Sequence, residues 1–203
     1  MNKAVIFDWS GTLSDNFYCF YYVCKNMFIE LDKKPINKNE IRLNFTQPYM
    51  QFWHKYFPNL DKDKQDKLYE KYIHLAGDPK IYKHVKIIFN YLDKKGFKLF
   101  IVSSDWQSKL IPEIKKSGLE NLIKKTICEV HDKKIAISSL VKEFNLDKKQ
   151  SFYMGDTSGD VEAGRKAGIK TIGITWGFQH EKILAAAKPD FLINDIIKIK
   201  TIL

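Results

Sequence analysis

Apolar positions along the chain change their spacing several times, and those changes divide it. Ala4 to Phe7 is a continuous apolar run ending on Asp8, the pattern of a short strand buried on both faces. Trp9, Ser10, Gly11 and Thr12 follow as a turn. Residues 16–76 carry aromatic-rich helical patterns broken at Pro35, Pro48 and Pro58, with no strand pattern among them. From about Tyr82 the pattern becomes regular. Val85, Ile88, Phe89 and Leu92 form one apolar helix face, stopped by Gly96. The strand KLFIVSS (98–104) follows, then a helix over 106–116 interrupted at Pro112, and a short strand near Thr126 to Cys128. Ile137, Leu140, Val141 and Phe144 mark the next apolar helix face, ahead of the strand SFYMGD (151–156). A short helix from Asp160 to Ala167 ends at Gly168. The strands KTIGIT and DFLI and a closing helix from about Asn194 complete the pattern.

Strand and helix alternate through the second part, which predicts an α/β fold: a parallel sheet with helices on both faces. The first strand must join that sheet, because alone it leaves its backbone groups unsatisfied. Residues 1–15 and 81–203 therefore read as the core, and residues 16–80 as an all-helical insertion.

Composition narrows the partners. The chain has 34 Lys+Arg against 24 Asp+Glu in 203 residues, and Arg42 and Arg165 are its only arginines. Nucleic-acid readers favour arginine for bidentate contacts, and these lysines are spread along predicted helix faces. A solvated lysine-rich surface is the reading, with nucleic acid not expected as a partner and anionic small molecules concentrated nearby. Cys19, Cys24 and Cys128 form no CxxC pair, so reduced thiols in the cytosol are expected rather than a disulfide framework or zinc site. No segment approaches the roughly 20 apolar residues of a membrane span. A cytoplasmic protein without a membrane partner is expected. Oligomeric state is not legible, because no exposed stripe stands out.

In an open α/β sheet, ligands bind at the carboxyl ends of the strands. Asp8 ends the first strand, Ser103 and Ser104 the second, and Gly155-Asp156 the fourth, with Asp160 four residues further on. Three carboxylates and a hydroxyl converge on one edge. So much like charge calls for a divalent cation, and oxygen-only ligands point to Mg²⁺. At roughly 100° per residue, Lys133 falls near the middle of the face formed by Ile137, Leu140, Val141 and Phe144, whereas Lys134 falls off it. Lys133 should lie against the sheet, near the carboxylates, where an ammonium holds both a carboxylate nucleophile and a substrate phosphate.

Plainer readings stand beside these. Asp156 or Asp160 is also a suitable helix N-cap, Ser103 can pair with backbone at a strand end, and Lys133 can be one more surface lysine. Ser104 reads as structural more than as a ligand, Asp15 as the cap of the next helix, and the histidines as bland. Arg42, the sole arginine of the insertion, fits a substrate anion or the surface equally. The cluster Phe45, Tyr49, Phe52, Trp53 and Tyr56 reads as helix packing.

DWSGT after a strand, a Ser after FIV, a Lys ahead of a helix, and GDTSGD together resemble the haloacid dehalogenase-like superfamily. The stretch VKIIFNYLDKKGFKLFIVSS, the segment GITWGF and the ending PDFLINDI are similar to phosphoglycolate-phosphatase-like members. The resemblance implies a Rossmann-like core with a small helical cap, and a Mg²⁺-dependent phosphatase acting on a small phosphorylated metabolite. It further implies that Asp8 attacks phosphorus to form an aspartyl phosphate. Mg²⁺ would be held by Asp8, the Ser10 carbonyl and the Asp156/Asp160 pair. Thr12 and Ser103 would hydrogen-bond the phosphoryl oxygens, with Ser104 and Arg42 as further substrate-side candidates, and Lys133 would balance charge.

The resemblance departs at one position. Most such phosphatases carry DxDGT, whose second Asp protonates the leaving alcohol and then activates water; here Ser10 stands there. A serine hydroxyl hydrogen-bonds but does not itself exchange a proton near neutral pH. Three readings stay open: a phosphatase working without that acid or with a carboxylate borrowed from the cap; a phosphonoacetaldehyde-hydrolase-like C–P hydrolase, whose DWAGT motif is similar but which needs a cap lysine; or a phosphate-binding regulator without turnover. The first is preferred because Asp8 and the acidic pair are retained. In the second, Lys55 is the only cap lysine considered, in surroundings unlike that family's.

Overall fold

The computed structural model describes residues 2–46 and 49–203, so the break expected at Pro48 lies outside the described residues. After β1 (Ala4–Phe7), a two-residue strand β2 (Ser14–Asp15) leads into four helices, α1 (Phe17–Glu30), α2 (Lys38–Asn44), α3 (Tyr49–Tyr56) and α4 (Lys62–Ile73). β3 (Lys80–Ile81) returns antiparallel to β2. Alternation follows through α5 (Val85–Lys94), β4 (Lys98–Val102), α6 (Gln107–Ser117), β5 (Ile123–Ile127), α7 (Lys133–Glu143) and β6 (Ser151–Gly155). It continues through α8 (Ser158–Ala167), β7 (Lys170–Ile174), α9 (Glu181–Ala186), β8 (Phe191–Ile193) and α10 (Ile199–Ile202).

Six strands form one sheet in the order β5-β4-β1-β6-β7-β8, and every pairing in it is parallel. The expected α/β architecture is observed. β1 is central, with Ala4 level with Lys98 of β4 and Ser151 of β6. Its four residues are fully buried because alternate side chains enter different layers. Val5 and Phe7 pack with Ile88, Phe89 and Leu92 of α5 and with Leu110 of α6. Ala4 and Ile6 pack on the other side with Ile137 and Leu140 of α7 and Ala163 of α8. Strand order reverses at β1, since the chain proceeds outward on one side and then restarts on the other. The crevice at the carboxyl end of β1 is therefore the place for a ligand in this topology.

The four helices between β2 and β3 enclose an apolar cluster of their own, including Phe20, Val23, Met27, Phe28, Phe52 and Trp53. The aromatic residues singled out in the sequence pack there. Phe178, from the loop after β7, enters the same cluster with its ring 5.4, 5.3 and 5.1 Å from those of Phe17, Phe20 and Phe45. Beside it, Gln179 Nε2 donates to the Phe45 carbonyl and the His180 N–H to the Arg42 carbonyl, both at 2.9 Å. The loop at the carboxyl edge of the sheet thus anchors the helices over that edge.

Several local expectations need correction. α6 runs through Pro112 without a break. Pro112 is the sixth of its eleven residues, and the carbonyl four residues back belongs to exposed Ser108, where water can replace the lost amide partner. The β2/β3 pair is too short to show a strand period, and α9 has only six residues. Instead of a continuous closing helix from Asn194, a 3₁₀ turn over Ile196–Lys198 precedes α10. Asp15 is not a helix cap; it lies exposed in β2, and Asn16 occupies the cap position of α1.

Phe89 is fully buried and stacks on Phe7 at 4.9 Å. Phe89→Ala should lower the unfolding free energy by about 3–5 kcal/mol, read from the shift of the urea midpoint at unchanged slope.

Candidate active site

The Asp8 N–H continues the sheet register by donating to the Met154 carbonyl at 2.8 Å, which places its carboxylate beside the end of β6. Asp156 follows β6 directly. Lys133 is the first residue of α7, an end of a helix that disfavours cations. Two carboxylates compensate: Lys133 Nζ lies 2.9 Å from Asp8 Oδ1 and 2.7 Å from Asp160 Oδ1, with only 6% of the side chain exposed. Lys134 is exposed, as the helix phase requires.

Neither Asp156 nor Asp160 is a helix N-cap, because Thr157 takes that position in α8. As the third residue of α8, Asp160 closes a capping box with Thr157, and it also anchors Lys133. Its Oδ1 accepts from Lys133 and from the Tyr153 hydroxyl at 3.1 Å; its Oδ2 accepts from Thr157 N–H at 3.0 Å and Thr157 Oγ1 at 2.6 Å. About four lone-pair sites are all that a carboxylate offers, and these contacts use them. Asp156 Oδ2 accepts from the Phe178 N–H at 2.5 Å, and Thr12 Oγ1 lies 3.5 Å from its Oδ1. Gly11 and Gly177 make this approach possible. A Cβ on Gly11, whose φ is +73°, would meet the Phe178 ring at 2.2 Å and Asp156 Oδ2 at 2.5 Å. One on Gly177 would meet Asp156 Cβ at 2.2 Å.

One oxygen each of Asp8, Asp156 and Asp160 lies within 4.8 Å of the others, and all three residues are buried. Burial raises the Asp8 carboxyl well above the usual range; the Lys133 charge opposes this, while Asp160 and Asp156 add to it. Burial, then the Asp160 charge, pushes Asp156 up to about 7. Burial acts against the Lys133 ammonium, yet Asp160 and Asp8 outweigh it and hold that group well above the ordinary lysine range. Three carboxylates share one ammonium, and the excess negative charge makes the cluster a fit for a metal ion. All three donors are oxygen, which suits a hard divalent cation. Because the acceptor sites of Asp160 are used, the free capacity lies on Asp8 and Asp156.

Ser10 is half-buried at the mouth of this cluster. Its Oγ donates to Asp105 Oδ2 at 2.6 Å and accepts from Asn16 Nδ2 at 2.7 Å. Ser103 is buried at the end of β4, and its hydroxyl donates to the same Asp105 oxygen at 2.7 Å. Ser104 is exposed and turned away, bonded to the Val130 carbonyl at 2.7 Å. Arg42 is half-buried, its guanidinium 4.2 Å from the centre of the Phe17 ring. Asp8, Thr12, Lys133, Asp156 and Asp160 thus meet in one buried cluster; the hydroxyls of Ser10 and Ser103 meet instead on Asp105, and Ser104 bonds to the Val130 carbonyl.

Four contributors were not anticipated. Asp105 follows the two serines in the connection ahead of α6, where no periodicity marks it. Tyr153 read as one more buried strand residue. Asn16 read as part of a helix start. Glu113, on α6, accepts from Trp9 Nε1 at 2.8 Å and from the Ser14 hydroxyl at 3.2 Å, and burial raises its carboxyl; nothing in its helical pattern signalled this.

The haloacid dehalogenase-like hydrolase family matches residues 5–174. The chain belongs to that family. Phosphoglycolate phosphatase of Aquifex aeolicus is 26% identical over 97% of this chain and 96% of its own length. Pyrophosphatase PpaX of Bacillus pumilus is 25% identical over 95% and 92%. Phosphoglycolate phosphatase of Pasteurella multocida is 27% identical over 61% of this chain, but only 57% of that protein is spanned. Among solved structures, a haloacid dehalogenase-like family hydrolase from Streptococcus pneumoniae superposes with a TM-score of 0.82 at 21% identity, covering 99% of this chain and 98% of the other. A haloacid dehalogenase-like protein from Agrobacterium tumefaciens gives 0.81 at 18% identity, covering 100% and 97%. These two likenesses concern the fold. In this haloacid dehalogenase-like hydrolase the family match reaches from β1 to β7, and so takes in Asp8, Lys133, Asp156 and Asp160. No helix among the described residues is long and apolar enough to cross a membrane.

Removing the ammonium alone leaves buried carboxylates unpaired. Lys133→Met should cost about 3–5 kcal/mol of stability in cation-free buffer. A double-mutant cycle with Asp160→Asn should give a coupling of about 0.5–3 kcal/mol by chemical denaturation; simple additivity would show that the two groups share no charge pair.

Proposed function

We propose that this protein is a Mg²⁺-dependent phosphatase of small phosphate esters, working through an aspartyl phosphate on Asp8 beneath a helical cap formed by residues 16–80. The observation that carries this reading is the bridge of Lys133 between Asp8 and Asp160, with Asp156 alongside. It holds a carboxylate at the end of the central strand with one oxygen paired to an ammonium. The phosphoglycolate phosphatases and the pyrophosphatase among its relatives support a small phosphorylated substrate.

The chain's own residues account for the steps. Asp8 supplies the nucleophilic oxygen, splitting one difficult displacement into two. Lys133 holds the carboxylate in place and offsets the charge of an incoming phosphoryl group. Thr12 and Ser103 supply the phosphoryl oxygens with hydroxyl donors at the same strand ends, each turning from its present acceptor, Asp156 and Asp105, to do so. Asp8 and Asp156 would hold Mg²⁺, with the Ser10 carbonyl on the same turn and Asp160 fixing Lys133 beside them. Bound there, the ion supplies positive charge between two anions that would otherwise repel. Phe178 closes the cap onto Asp156 and keeps bulk water from the cluster, and Arg42 lies on the cap side as a candidate for a second anionic group of the substrate. The Schiff-base alternative gains no support from Lys55, which is exposed on α3 and bonded to the Asn44 side chain.

With Mg²⁺, the protein should hydrolyse p-nitrophenyl phosphate, and Asp8→Asn should abolish the activity. EDTA should do the same, reversibly. Hydrolysis that survives Asp8→Asn, or none by the unaltered protein at high concentration, would overturn this reading. Mg²⁺ should also raise the melting temperature of the unaltered protein and leave that of Asp156→Asn nearly unmoved, a readout independent of turnover.

A further inference from the structure

Five cations that are scattered along the sequence are gathered by the fold at the amino edge of the sheet, the end opposite Asp8. The turn before β6 brings Lys148 and Lys149, the end of α8 and the start of β7 bring Arg165 and Lys170, and the connection into β8 brings Lys188. All five are exposed, and they line one cavity of about 300 Å³ together with a single carboxylate, Asp190. Asp190 does not neutralise them: its Oδ2 accepts from the Thr171 N–H at 2.7 Å and the Thr171 hydroxyl at 2.8 Å. Asp147, next to Lys148, likewise spends Oδ1 on the Lys149 N–H at 2.9 Å. Among the described residues none of the five cations forms an ion pair. Like charges brought together without a partner repel, and an anion relieves them.

Two features distinguish this cavity from the dispersed lysines elsewhere on the surface. Arg165, one of only two arginines in the chain, donates from Nη2 to the carbonyls of Ala187 and Lys188 at 2.6 and 2.8 Å. Those bonds fix the guanidinium plane and leave the hydrogens of Nε and Nη1 for an anion. Lys188 stands just past α9 with φ +55°, a place where glycine is the usual residue. Arg165 holds that backbone, and the side chain carried there is a lysine lining the cavity. We propose that the cavity binds the phosphate chain of a small polyanion, an oligophosphate or a nucleoside polyphosphate. Arg165 takes one phosphate through its free nitrogens, and the lysines of the three connections take the others. A chain fits cations drawn from three connections better than a single phosphate does, because its charge is spread along its length. The strands of the sheet separate this cavity from Asp8, since Ser151 at the start of β6 is level with Ala4 at the start of β1. An anion held here therefore leaves the carboxylate cluster free, and the proposal does not depend on the phosphatase reading.

The test titrates the full chain with tripolyphosphate and with ATP by calorimetry, in EDTA at low salt. Without a cation the three carboxylates around Asp8 repel anions, so binding there does not obscure the result. Each anion should bind saturably, one per chain. Arg165→Met should weaken both by about tenfold or more, the worth of one charge-assisted hydrogen bond. That change also strips the carbonyls at the end of α9, so the double variant Lys170→Met with Lys188→Met, which keeps the Arg165 bonds, is measured beside it and should lose as much. Lys94→Met, which removes one exposed charge from α5, should change either affinity by less than about twofold. Tighter binding of ATP would identify a nucleotide as the ligand, and equal or tighter binding of tripolyphosphate a phosphate chain alone; each result supports the site. No saturable binding of either anion, or a loss in Lys94→Met as large as in the cavity variants, overturns the proposal and leaves the phosphatase reading untouched.

Discussion

Three buried carboxylates face one buried ammonium at the end of the central strand, and the surrounding structure is arranged to make that tolerable. Like charges in a poorly solvated site repel far more strongly than in water. The chain answers with short-range neutralisation by Lys133 and with a dense set of donors on Asp160. The answer is incomplete by design of the residue set, because Asp8 and Asp156 retain acceptor capacity and raised carboxyl affinities for protons. A cluster that is short of positive charge by this margin favours a cation. Stability and ligand selection therefore come from the same imbalance.

Phe178 couples that imbalance to the helices. Its amide donates to Asp156 while its ring sits among Phe17, Phe20 and Phe45. One residue thus reports on both sides: a shift of Asp156 moves the backbone that carries an aromatic anchor of the four-helix segment. Gly11 and Gly177 leave the space in which this happens: a side chain at Gly11 would collide with Phe178 and Asp156, and one at Gly177 with Asp156.

Much of this was legible in the sequence, for physical reasons that also explain the rest. Strands buried on both faces make continuous apolar runs, so β1, β4, β6 and β7 stood out, and the carboxylates at their ends followed from the topology. Lys133 was legible because a helix phase assigns a side chain to a layer before any contact is known. Asp105 was not, because it lies in a connection with no period, and what singles it out is a hydrogen bond to a residue 95 positions away. Tyr153 was hidden for the opposite reason: its ring belongs to the strand pattern, and only its hydroxyl reaches Asp160. Asn16 and Glu113 act through contacts that no local pattern encodes. The helical segment showed its helices but not their attachment, since Phe178, Gln179 and His180 belong to the sheet's own loop.

Ser10 and Asp105 make sense together better than apart. A carboxylate at position 10 would stand against Asp105 at hydrogen-bonding distance, and two ionised carboxylates there would have to share a proton or move away from each other. A serine removes that conflict, and its hydroxyl is short enough to sit between Asp105 and Asn16. Asn16 then sets the direction of the hydrogen bond by donating an amide N–H to Ser10, so the hydrogen of Ser10 points at Asp105. The departure at position 10 and the carboxylate at position 105 are in this sense one feature, divided between two strand ends that the parallel sheet brings side by side.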